Sequence, residues 1–72
     1  MKQQLVICVE NEGYEASLEK RKLYVKLKDE AASKHNQIRV IDESGEDYLF
    51  PSKWFVEVTL PKDTEQAVLS AA

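Results

Sequence analysis

Three kinds of reactive group stand out in the chain: one thiol at Cys8, one imidazole at His35, and a knot of carboxylates at Asp42, Glu43, Glu46 and Asp47. The thiol has no second cysteine, so neither an internal disulfide nor a multi-cysteine metal site is available. Within the apolar run Leu5-Val6-Ile7-Cys8-Val9 it reads as a small inert hydrophobe. His35 lies in a polar connection with no second His or Cys to share a metal, and reads as a surface turn residue. The carboxylate knot lacks the regular ligand ladder of a Ca²⁺ loop and reads as a solvated hairpin tip. Ser17, Ser33, Ser44 and Ser52 have no His placed beside them by a hydrolase motif. Gly13 and Gly45 are the only glycines, too few for a phosphate-cradling loop. The expectation is a protein that is not an enzyme and uses no cofactor or metal.

Two features suit binding instead. Trp54, a large aromatic close to Pro51, reads either as a partner contact or as a lid over the fold. Lys20, Arg21, Lys22, Lys26 and Lys28 are half of the 10 basic residues, packed into nine positions with Tyr24 among them. That stretch reads as a solvated face, with nucleic-acid or acidic-partner docking as the sharper alternative. The net charge of −3 disfavours nucleic acid.

The elements that position these residues follow from period and punctuation. At 72 residues the chain is one domain with a small core. Leu5–Val9 predicts a strand covered on both faces, with Val6 and Cys8 on one and Leu5, Ile7 and Val9 on the other. Residues 13–22 have no clean period and predict a long ordered loop. Leu23-Tyr24-Val25-Lys26-Leu27-Lys28 alternates, predicting Leu23, Val25 and Leu27 inward and Tyr24, Lys26 and Lys28 outward. Asp29 to Asn36 predicts a single helical turn, with Asp29 as cap and Asn36 as left-handed exit. In Ile38–Leu60, a Glu43-Ser44-Gly45 loop with Gly45 left-handed would oppose Asp42 to Glu46, Val40 to Tyr48 and Ile38 to Phe50. Pro51 should end that second strand, and a 3₁₀ turn through Trp54 should lead into a last strand over Val56–Leu60. The five apolar residues Leu5–Val9 are too few for a signal-peptide core or a membrane span.

Five short strands, one long early loop and a 3₁₀ turn before the last strand is the layout of an SH3-like barrel. The segment Tyr48-Leu49-Phe50-Pro51-Ser52-Lys53-Trp54-Phe55-Val56 resembles one found in eukaryotic SH3 domains. There an aromatic or aliphatic pair precedes Pro-Ser, a variable residue, an aromatic and an apolar strand start. The slight apolar content of residues 62–72 predicts a flexible or weakly helical tail, and the resemblance implies an all-β, five-stranded SH3-like barrel over residues 1–61. It also implies that Phe50 and Phe55 point inward while Leu49, Pro51 and Trp54 line an outer groove, with Tyr14 or Tyr24 nearby if the long loop folds over it. The chain departs from SH3 domains where they carry a Tyr-rich first strand (here Val6-Ile7-Cys8-Val9-Glu10) and a Trp after the long loops (here Ile38-Arg39-Val40-Ile41). Gly13–Glu19 and Asp42–Tyr48 are also similar to segments of a group of short uncharacterised bacterial proteins. Together these likenesses imply a bacterial, cytoplasmic, non-catalytic binding or adaptor module. Its partner would be an unidentified protein or peptide, and the module itself a monomer or weak homo-oligomer.

Overall fold

The computed structural model describes residues 3–70; positions 1, 2, 71 and 72, including the last two of the expected tail, lie outside the described residues. Five strands, β1 (Gln3–Cys8), β2 (Leu23–Leu27), β3 (Gln37–Ile41), β4 (Asp47–Pro51) and β5 (Phe55–Glu57), form one antiparallel sheet in the order β4-β3-β2-β1-β5. The sheet is not closed: β4 and β5 are its two edges. Between the strands lie a helical turn α1 (Glu30–Ser33) and a 3₁₀ turn (Ser52–Trp54), and a C-terminal helix α2 (Lys62–Ser70) follows β5. No helix among the described residues is long and apolar enough to cross a membrane.

Local chemistry sets the element boundaries. Asp29 accepts a 3.0 Å hydrogen bond from the Ala32 N–H and opens α1, while Asn36 leaves it at φ 58°, a conformation Asn tolerates. Gly45, at φ 85°, turns the β3–β4 hairpin, and the Asp42 N–H donates to Glu46 O at 3.0 Å. The expected register follows, with Val40 opposite Tyr48 and Ile38 opposite Phe50. At the other end of the hairpin the Ser52 N–H donates to Asn36 O at 2.9 Å. Counting in twos between these anchors turns the N–H groups of Phe50 and Tyr48 toward β3, and those of Leu49 and position 51 toward the open edge. Pro51 thus lacks a donor only where the ladder needs none. The last strand starts one residue earlier and ends sooner than expected, although the Val58 N–H still reaches Leu5 O at 2.9 Å.

The core lies on one face of the sheet: Val6, Cys8, Tyr24, Val40, Phe50 and Phe55, closed by Leu18 from the long loop. This corrects the reading of β2. Tyr24 points into the core and is 6% exposed, while Leu23, Val25 and Leu27 are half-buried on the opposite face. Alternation fixes the period of a strand but not its phase. Here the phase is set by the neighbour: Tyr24 lies opposite Val6, and its ring meets Phe55 edge-on at 6.4 Å. Leu18, fully buried, was hidden in a loop with no period.

Candidate functional site

The loop over residues 9–22 folds back over the end of the sheet. The Tyr14 carbonyl accepts from the N–H groups of Ser17 and Leu18, both at 2.9 Å, and the Asn11 side-chain amide donates to Leu18 O at 2.8 Å. These bonds seat Leu18 in the core and leave Tyr14 on top of it. The Tyr14 ring meets Phe50 edge-on at 5.7 Å and Trp54 at 5.5 Å. Trp54 in turn stacks beside Phe50 at 6.4 Å and is half-buried. The three rings make one aromatic cluster, with Phe50 inside and Tyr14 half exposed. A cleft of about 260 Å³ opens beside it, lined by Tyr14, Ser17, Asp42, Tyr48, Leu49 and Phe50.

The expected site residues are therefore split. Tyr14 and Trp54 touch, and Tyr14 and Leu49 share the cleft. Pro51 borders a different depression, with Asn36, Ser52 and Lys53. Trp54 also faces a third one, with Val9, Glu10, Glu12 and Lys53. Leu49 and Pro51 share a strand parity opposite to that of Phe50, yet Leu49 borders the aromatic cleft and Pro51 does not. Tyr24 borders none of these three depressions; it lines a fourth, with Leu5, Val25, Ile41 and Val68. Tyr48, expected only to lie opposite Val40, does so but is exposed and lines the cleft. Its hydroxyl donates to Glu46 at 3.0 Å.

The charged groups act mainly as internal ties. The Tyr24 hydroxyl donates to Glu43 Oε2 at 2.6 Å and accepts from the Glu19 N–H at 2.7 Å. Lys22 Nζ reaches the same carboxylate oxygen at 2.6 Å. Burial, then the bond to Glu43, pushes the Tyr24 ionisation far above its ordinary range. Lys22, then Tyr24, holds the Glu43 carboxyl below its ordinary value. A backbone bond from the Glu43 N–H to Ser17 O at 3.0 Å completes the tie between hairpin tip and long loop. The rest of the acidic knot is also engaged: buried Asp42 accepts from the Ser44 N–H and hydroxyl, and Asp47 pairs with Arg39. Of the basic stretch, Lys26 pairs with Glu57 and Lys28 with Glu30. Cys8 is fully buried; its thiol donates to Glu10 O, and burial raises its pKa. Among the described residues no group of three or more His, Cys, Asp and Glu is placed to hold a metal ion. Comparison with protein-family models, with curated proteins and with solved structures finds no match.

Proposed function

We propose that the chain is a small non-catalytic binding module of SH3-like type, working in the cytoplasm and taking a protein or peptide partner at the aromatic cleft. The observation that carries the reading is the Tyr14–Phe50–Trp54 cluster: two rings that reach the surface, anchored on a buried third, beside an open cleft. Rigid aromatics held at a rim are the residues that anchor interfaces, because they offer large area at low entropy cost. The barrel reading draws support from the five antiparallel strands, the long early loop and the 3₁₀ turn ahead of β5. A nucleic-acid alternative, built on the 20–28 stretch, has less support because Lys22, Lys26 and Lys28 are each paired within the fold.

Affinity capture with the intact chain and with Tyr14→Ala and Trp54→Ala tests this reading. Both variants should keep the fold, with Trp54→Ala mild for stability, and both should lose the captured protein, since an interface Trp anchor contributes ~2 kcal/mol or more. The free protein should show intermediate Trp54 emission that acrylamide quenches. Capture that survives both substitutions, or that nuclease abolishes, would overturn the assignment.

A further inference from the structure

The cleft beside the aromatic cluster has one charged residue in its lining, Asp42, and that residue is only 7% exposed. Its Oδ1 accepts from both the N–H and the hydroxyl of Ser44, the bonds that shape the hairpin turn. Its Oδ2 accepts no bond from any described residue. No buried side-chain nitrogen or oxygen among the described residues lacks a partner, so Oδ2 is reached from the surface. A carboxylate drawn this far out of water costs free energy unless a cation or further donors meet it. Asp42 borders two depressions. The one with Leu5, Ile41 and Val68 already holds a cation, Lys22. The other is the aromatic cleft, whose lining holds none.

The chain that builds the cleft carries one sign of charge. Residues 13–18 and 42–50 contain Glu15, Asp42, Glu43, Glu46 and Asp47, and no lysine or arginine. Two of these are neutralised from outside, Glu43 by Lys22 and Asp47 by Arg39. Both cations are committed elsewhere as well, Lys22 to Glu19 and Arg39 to Asp29. Lys20 and Arg21 lie where the loop returns to Cys8, and Lys53 borders the depressions at Trp54 and Pro51. Among the described residues Glu15, Asp42 and Glu46 have no ion pair. Tyr48 registers the excess: its bond to Glu46 raises its pKa, and the charges of Asp42 and Asp47 add to the rise. Tyr48 and Tyr14 are each about half exposed, and aromatic rings attract cations. At about 260 Å³ the cleft is small for a whole organic ligand and suits one long side chain. We propose that it takes an arginine side chain of the partner, with the guanidinium on Asp42 Oδ2 and its plane against the tyrosine rings. The inference rests on the reading that a peptide docks at this cleft, and it names that peptide's chemistry. Arginine fits better than lysine, because a planar, weakly hydrated guanidinium stacks on rings and still donates in its plane, here to Asp42 and Ser17. The site is separate from the groove over Leu49, Pro51 and Trp54 that the SH3 resemblance implies, since Pro51 and Trp54 border other depressions.

Chemical-shift titration of the whole chain with acetyl-Gly-Arg-Gly-amide, and with the same tripeptide carrying citrulline or lysine in place of arginine, tests the proposal. Citrulline keeps the shape of arginine and lacks its charge. The arginine peptide should move the amide signals of Tyr14, Ser17, Asp42 and Tyr48, and its binding should weaken with added salt. The citrulline peptide should bind about tenfold or more weakly, having lost both the ring attraction and a charged hydrogen bond. Asp42→Asn keeps an oxygen for the Ser44 bonds and should erase the difference between these two peptides. Glu46→Gln changes an exposed side chain, so it should keep the fold while weakening the arginine peptide by a few-fold. That second variant reads the field of the cleft even where Asp42→Asn loosens the hairpin. No binding of the arginine peptide at millimolar concentration would overturn the proposal. Equal affinity for citrulline or for lysine, or shifts confined to residues outside the cleft, would overturn it too. None of these results decides the capture test with Tyr14→Ala and Trp54→Ala, which asks whether a partner uses the cleft without reference to charge.

Discussion

The two faces of this sheet are both apolar, yet they are built differently. On one, Val6, Cys8, Tyr24, Val40, Phe50 and Phe55 are sealed by residues that the loops bring in: Leu18, Tyr14 and Trp54. On the other, Leu5, Val25 and Ile41 border an open depression with Val68 of a helix none of whose residues is buried, and Val56 stays exposed. A strand donates side chains to both faces at once. What turns one face into a core is the non-local cover laid over it, and here the irregular loop does that better than the regular helix.

The largest effect that would break this contrast is in the core. Phe50→Ala, on the sealed face, should cost ~3–5 kcal/mol, and Leu5→Ala, on the helix-covered face, ~2–5 kcal/mol toward the lower end, because a loosely packed helix can settle into the space. Denaturant unfolding measures both. A Leu5→Ala loss as large as that of Phe50→Ala would mean that the second face is a core in its own right.

The tie between loop and hairpin gives a middle-sized effect. Tyr24→Phe removes a buried hydroxyl that serves Glu43 and the Glu19 N–H, and should cost ~1–3 kcal/mol. The pH dependence separates the two partners. The Tyr24 pKa is raised, so its contribution is fully present below the ordinary 10.0 and is lost as pH rises beyond that. The Glu43 pKa is lowered, so its contribution is present above the ordinary 4.5 and is lost as pH falls through its folded value. Melting temperature should therefore form a plateau that falls at both ends. Tyr24→Phe should flatten the alkaline fall, and Glu43→Gln should reduce the acid one. An unchanged alkaline limb in Tyr24→Phe would place the loss elsewhere.

The smallest effect is a gain. Arg21 sits at φ 71° where the loop enters β2, a conformation that costs a side-chain-bearing residue about 1 kcal/mol. Arg21→Gly should raise stability by roughly 0.5–1 kcal/mol, read as a higher denaturant midpoint at constant slope. A loss would show that the arginine side chain contributes more than its backbone strain costs.

Much of this fold was legible in local sequence. Gly45, Pro51, Asp29 and Asn36 each act within a few residues, and each sits where turn, edge and cap chemistry place it. The inverted β2 was not legible, because Leu23-Tyr24-Val25-Lys26-Leu27 alternates between two apolar sets, and only contact with Val6 and Glu43 decides which turns inward. Leu18 offered one faint signal, a lone aliphatic residue in a polar loop. The grouping of Leu49, Pro51 and Trp54 could not be read from spacing alone, since strand parity sends the first two to one side while the 3₁₀ turn swings the indole onto Phe50. Tyr14 joined that indole through loop bonds that carry no periodic signature.

The neighbouring of β1 and β5 has a consequence for how the protein is made. Val6 lies opposite Glu57, so β1 finds its second partner only after β2, β3 and β4 have been made. The β3–β4 hairpin, closed by a three-residue loop, can form as soon as it emerges, and β2 joins it locally. Until Phe55–Glu57 leaves the ribosome, β1 has at most one neighbour and the backbone groups along its other side remain unpaired. During that interval the nascent chain is a four-stranded meander with a sticky edge, and the last strand is what retires it.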